Sequence, residues 1–335
     1  NSTGCMKIPS GPTYYRGNRG RGIFASGTEP NSVKNIDFIN IASTGNATAW
    51  GEVLGNGMGL AGGASNNVRG VYTGGFEGAP ANGRVNTIQA LNIPTAGDIF
   101  DFGDLTYTVQ QMSGVGNQTR GVYANGYAVP LAPSTDSLNM TYTMIEFMSS
   151  ANKTDFGDII ANAACRDLAT VETHIRGYFA GGEGTGQVPG THNKNITIKG
   201  FANNSESLTF GELSVQAKRG AGVGSYTRGV FICGGIADSP EAFSNTIEFI
   251  TLTTSGEATD FGDATSNTGH INNNSASNTI RGVYHNARTS DGGAEKNILE
   301  FITIATTGNA TDFGDLNYSS RNGCGLSDSH GGLPL

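Results

Sequence analysis

Two residue patterns recur along this 335-residue sequence at a spacing that could support chemistry. The first is an arginine followed by glycine and two large apolar residues, at Arg21, Arg69, Arg120, Arg176, Arg228 and Arg281, with offsets of 48, 51, 56, 52 and 53 residues. The second is an aromatic residue, a glycine and an acid: Trp50-Gly51-Glu52, Phe102-Gly103-Asp104, Phe156-Gly157-Asp158, Phe210-Gly211-Glu212, Phe261-Gly262-Asp263 and Phe313-Gly314-Asp315. Arginines gathered on one point would clamp a substrate carboxylate, and paired carboxylates beside main-chain carbonyls would suit a hard cation such as calcium. A residue present in every repeat at one phase is, however, distributed along the array rather than collected at a single point. The expected role is therefore structural, with Arg69, Arg120, Arg176, Arg228 and Arg281 pairing with recurrent acids such as Asp104, Asp158, Asp263 and Asp315.

Other routes to chemistry have less support. His174, His192, His270, His285 and His330 fall at different phases of the repeat, whereas a catalytic or copper centre needs convergence; only His174 and His330 share a phase, just before the Arg-Gly position. The sequence has no Ser-x-Asp-x-Gly-x-Thr-Trp box, no Asp-x-Asp-x-Asp-Gly ladder, no P-loop, no nucleophile elbow and no HExxH helix. Cys5, Cys165, Cys233 and Cys324 lack CxxC spacing, and only Cys5 and Cys324, near opposite ends of the chain, are candidates for a bond. No catalytic residue, metal or cofactor is expected.

The elements that carry these motifs are strands. Gly accounts for 51 of the 335 residues and only 14% are charged, which fits many short strands joined by tight turns. Asn245 to Leu252 and Asn297 to Ile304 are rich in β-branched and aromatic residues and free of Pro and Gly, with apolar residues on both alternating faces, as in a sheet packed between two neighbours. The aromatic of the second motif is expected to fill the seam between repeats, its glycine to permit a turn, and its acid to accept backbone donors or the recurrent Arg. Small-residue segments such as Arg219 to Ser225 suit a crowded innermost strand.

Repeats near 50 residues predict an all-β, six-bladed β-propeller of four-stranded blades. Residues 1–20 form an N-terminal segment near the ring closure and 21–335 the propeller. A closing strand within 317–335 completes the first blade.

The glycine doublets Gly74-Gly75, Gly181-Gly182 and Gly234-Gly235 resemble kelch repeats, although Trp occurs here only at Trp50. A closer resemblance, carried by Arg281 to Tyr284, Asn297 to Ile304 and Gly308 to Leu316, is to repeat proteins in the virions and tails of marine bacteriophages, especially cyanophages. That resemblance implies a non-enzymatic virion structural or tail-fibre protein that supports assembly or host-surface attachment, with other virion proteins or a host glycan or protein as partners. The alternatives are a lectin-like carbohydrate-binding propeller and, more distantly, a propeller hydrolase or oxidase.

The net charge of −8, with arginines spaced singly, disfavours nucleic acid. No apolar run is long enough to span a bilayer and residues 1–10 do not read as a signal peptide, so a soluble protein is expected. Recognition is assigned to the variable loops between second and third strands, where Phe76, Tyr127, His192 and Phe243 are the candidate contacts.

Overall fold

The computed structural model describes residues 20–28, 33–79, 83–124, 126–129, 137–138, 141–149, 153–159, 165–184, 192–232, 234–238, 240–289 and 294–333. Every element among them is a β-strand, and the sheets are arranged as a β-propeller. The six Arg-Gly segments are the strands Arg21–Gly27, Arg69–Thr73, Arg120–Ala124, Arg176–Ala180, Arg228–Ile232 and Arg281–Asn286. Each pairs antiparallel on one side with a third strand of its own repeat, such as Ile298–Thr303 beside Arg281–Asn286. On the other side lies a short strand of small residues, such as Ala221–Gly224 beside Arg228–Ile232. For Arg21–Gly27 that partner is Cys324–Ser327, in the register Gly22 to Ser327. Cys324 is a buried free thiol whose pKa burial pushes up to about 12; Cys5 lies outside the described residues.

The aromatic of the second motif is buried at the junction between repeats. Phe313 clusters with Ile39, Ile41 and Ala47 of the first repeat, as Phe261 does with Ile302, Ile304 and Ala310 of the sixth. Full burial of such rings dominates seam energetics, and each also meets a third-strand ring edge to face, Phe313 with Phe301 at 6.0 Å.

The glycine after the aromatic does not make a turn. It is a bulge inside the outermost strand, where the register with the third strand slips between Leu299 and Glu300. Gly314 has φ +143°, and a Cβ there would lie 2.5 Å from the Gly45 carbonyl oxygen of the next repeat. The close approach has a purpose: Gly45 N donates to Phe313 O and Ala47 N to Asp315 O, each at 2.8 Å. The Asn46 side chain takes Asp315 N at 3.0 Å, and Asn309 does the same for Asp263. At Asp263 and Asp315 the acid position thus acts through its main chain, whereas the Glu212 carboxylate also pairs with Lys194 at 2.5 Å.

The expected pairing of arginines with these acids is also corrected. The guanidinium instead donates to the carbonyl at the end of the next repeat's third strand: Arg21 to Ile93, Arg69 to Phe147, Arg120 to Phe201 and Arg228 to Ile304, at 2.7 to 3.1 Å. Arg281 makes the same bond to Ile41 of the first repeat at 3.2 Å. A strand end leaves its carbonyl without a ladder partner, and a charged donor satisfies it better than a neutral one. The arginine also stacks on an aromatic of its own repeat, Arg281 over Phe301 at 4.3 Å and Arg69 over Phe102 at 5.2 Å. In the repeat of Arg176 the equivalent carbonyl, Leu252 O, accepts from the Tyr178 hydroxyl.

Candidate functional site

Of the loop residues singled out for recognition, two are buried and two are half-buried. Phe243 is buried with its ring edge to face on His270 at 5.5 Å, and His192 is buried with Nε2 3.1 Å from Asp238. Tyr127 is half-buried between the guanidinium groups of Arg84 at 4.4 Å and Arg166 at 5.0 Å. Phe76, also half-buried, pairs with Gly59 and Arg84 in a small local ladder. The side chains of Phe243, His192 and Tyr127 thus make contacts within the loop face. The parts of those loops at 80–82, 130–136, 185–191 and 290–293 lie outside the described residues.

Sequence reasoning also missed a set of buried third-strand acids. Asp37, Glu248 and Glu300, all 1% exposed or less, accept main-chain N–H groups of Asn317, Ser214 and Thr265 from the preceding repeat, at 2.7 to 3.2 Å. Gln89 takes the same place towards Leu54 N at 3.0 Å. The signal was the Glu of the Asn-Thr-Ile-Glu-Phe motif, an ionisable side chain in an otherwise apolar strand.

The most concentrated polar chemistry lies on the axis. On the variable-loop side, Leu60, Gln111, Asp167, Arg219, His270 and Asn322 all have φ between 55° and 62°, the left-handed region that non-glycine residues rarely occupy. They follow one another in a belt of main-chain bonds. Gln111 N donates to Leu60 O, Asp167 N to Gln111 O, Arg219 N to Asp167 O, Asn322 N to His270 O and Leu60 N to Asn322 O. Between Arg219 and His270 the link is made by Ile271 N at 2.9 Å.

The side chains repeat the belt. Gln111 Nε2 and Arg219 Nε both donate to Asp167 Oδ2, at 2.5 and 3.0 Å, and Asn272 Nδ2 donates to Oδ1 at 2.9 Å. Arg219 lies 2.9 Å from His270 Nδ1, whose other nitrogen donates to Glu241 at 2.8 Å. Nδ1 also lies 3.2 Å from Asn322 Oδ1, but the closer Arg219 contact favours a neutral imidazole, and burial together with the Arg219 charge pushes its pKa down to about 4. Outside the belt, Lys218 bridges Glu183 and Asp238. Burial opposes their ionisation, yet Lys218, with Arg166 on Glu183 and His192 on Asp238, holds both carboxyls below the usual range.

The sixth repeat adds two residues here. Eleven residues separate His270 from Arg281, against nine between each earlier left-handed residue and its Arg. The extra pair, Asn272-Asn273, is also left-handed and reaches across the axis. Asn273 donates to Leu168 O at 2.6 Å and accepts from Thr170 N at 2.9 Å. Gly325 N donates to its carbonyl at 3.0 Å.

Beyond Asn273 the inner strands surround a channel with about 420 Å³ of empty space, including its open part, lined by Ser65, Thr170, Glu172, Ser277, Ser327 and His330 among others. The segment after Cys324–Ser327 lies over its far mouth. His330 is buried there, Nδ1 2.6 Å from Glu172 Oε1 and Nε2 2.8 Å from Ser65 O. His174, which shares its sequence phase, is exposed, so the two imidazoles do not form a pair.

Among the described residues no cluster of three or more His, Cys, Asp or Glu side chains could hold a metal, and no helix is long and apolar enough to cross a membrane. No protein-family model matches the chain, and no curated protein matches it.

Proposed function

We propose that the chain is a non-enzymatic propeller that serves as a structural or tail-associated component of a bacteriophage particle, in assembly or in contact with the host surface. The observation that carries the non-catalytic part is the state of the axis. One side is spanned by Asn273 and the belt, the other is covered by His330 and its neighbours, so the polar groups that could converge on a substrate bond to one another. The recurrent Arg and acid positions are likewise engaged in joining successive repeats. The phage context rests on the sequence resemblance alone.

We further infer six blades, closed by Cys324–Ser327. Among the described residues six sheets have four strands or more, whereas a count of regular blades gives five. We favour six because two sheets are enlarged by loop strands of a neighbouring repeat: Tyr127–Val129 joins the sheet of the second repeat and Arg288–Thr289 that of the fifth. Glycine contacts support the same count. A Cβ at Gly282 would meet Val223 of the preceding inner strand and one at Gly177 would meet Val115, whereas one at Gly70 would meet Leu326 of the closing strand.

Imaging of purified particles with a label on this chain tests the biological reading. The expected result is density at the particle surface or tail. Free chain that never sediments with particles but binds specific glycans on an array would replace the proposal with a lectin, and turnover of a substrate would replace it with an enzyme.

A further inference from the structure

The segment Asp328–Leu333 is buried along its length and carries two buried titratable groups, Asp328 at its start and His330 at its middle. Asp328 exchanges two bonds with the Arg21 main chain, at 2.9 and 3.2 Å, beside the closing strand. Beyond it the chain turns over the mouth, where Gly331 and Gly332 run so close to the carbonyls of Ser225 and Gly116 that neither leaves room for a Cβ. Beyond the Asp328 carboxylate, the side chain that anchors the turn is His330.

Both of its ring nitrogens face acceptors, the Glu172 carboxylate and the Ser65 carbonyl. Only an imidazolium donates at both positions; either neutral tautomer sets a lone pair against an oxygen. Gly332 N lies 3.1 Å from Nδ1 and would favour a bare nitrogen there, but an unprotonated Nδ1 would then meet the carboxylate at 2.6 Å with no proton between them. The charged groups facing the ring are Glu172 and Asp328, while the inner strands around the mouth end in Ser65, Gly116, Gly224, Ser277 and Ser327, none of which titrates.

We propose that Asp328–Leu333 is a latch over one mouth of the axial channel, closed by the contact of the His330 imidazolium with Glu172 and Ser65 O, and opened when that imidazole gives its proton to solvent. The opened mouth presents a carboxylate and main-chain carbonyls, an acceptor-rich rim around the Ser- and Thr-lined channel. Burial disfavours the charge on His330, but Glu172 outweighs it and raises the pKa above the ordinary histidine value. A raised value in the folded state means that the latch is fully held below the ordinary histidine range and is lost as pH rises through the raised one. His270 and His285, both pushed down to about 4, stay neutral throughout that window and do not confuse the readout.

Amide hydrogen exchange of Ser329 to Leu333, corrected for intrinsic chemistry, should be followed from about pH 6 to about pH 9, a range that brackets the ordinary histidine value. Protection in the wild type should fall with rising pH while strand amides such as those of Val230 and Val283 keep theirs. Glu172→Gln should lower protection and shift the fall to lower pH, by about one pH unit for each pKa unit that the carboxylate supplies. His330→Gln should show low protection that does not vary with pH. Protection that stays flat in the wild type, or is the same in Glu172→Gln, with the strand amides intact, overturns the latch.

Discussion

The two mouths of the axial channel are closed by opposite means. On the variable-loop side every repeat contributes one left-handed residue, and the belt they form is continuous with the connections that lead into the inner strands. On the other side a single segment lies across the opening, held at its middle by one imidazole. The first closure is shared among all repeats and can open only by disturbing the fold. The second belongs to one segment and can open alone, because local openings cost only the contacts they break.

The comparison would break most visibly at Asp167. Its carboxylate is buried with three donors, so Asp167→Ala leaves Arg219 without its counter-charge and should cost about 3 to 5 kcal/mol in a denaturant titration. A loss below about 1 kcal/mol would mean that the belt is ornamental to stability rather than part of it.

Acid should act on the same mouth next most strongly. His270 falls from 6.5 to about 4 on folding. At about 1.4 kcal/mol per unit, stability present above the ordinary histidine value should decrease by on the order of 3 kcal/mol as pH falls towards the folded value. Glu183, Asp238 and Glu241 are held low against the desolvation that raises them, and lose their ionic partners in the same direction. The belt mouth therefore weakens with acid and the latch with alkali. Stability measured against pH alongside local exchange should separate the two, and a common pH dependence would sink the distinction.

Smaller effects sharpen it. Glu172→Gln should change global stability by about 1 kcal/mol or less, since its effect is confined to a segment that opens separately. At the belt's one apolar member, Leu60→Gly should be within about 1 kcal/mol of neutral, because relief of the left-handed conformation offsets the added freedom of glycine in the unfolded chain. A large loss there would show that the Leu60 side chain, not its main chain, holds the belt.

Much of the architecture was legible before any coordinates. Repeats recur because every copy packs against the same neighbours, so Arg-Gly, the apolar third strand and the aromatic-glycine-acid motif each kept one phase, and that phase reports the strand they lie on. The seam role of Phe261 and Phe313 followed from an aromatic position that never lapses. What the motifs did not reveal was the partner of each polar atom. Charge made the Asp side chains look like the counterpart of the Arg side chains, yet the structure uses the carbonyl of the next repeat for one and the main chain of the acid for the other.

The sequence by itself therefore determined the strand content, the repeat and its buried aromatic spine, because those depend on periodic burial that each copy must satisfy locally. Tertiary structure alone decided the axis. Leu60, Gln111, Asp167, Arg219, His270 and Asn322 share no side-chain chemistry, only a backbone conformation, so no pattern of letters marks them as one ring. The same holds for His330 and Glu172, which lie far apart along the chain and meet because two segments converge on the channel mouth, where the imidazole is buried against the carboxylate.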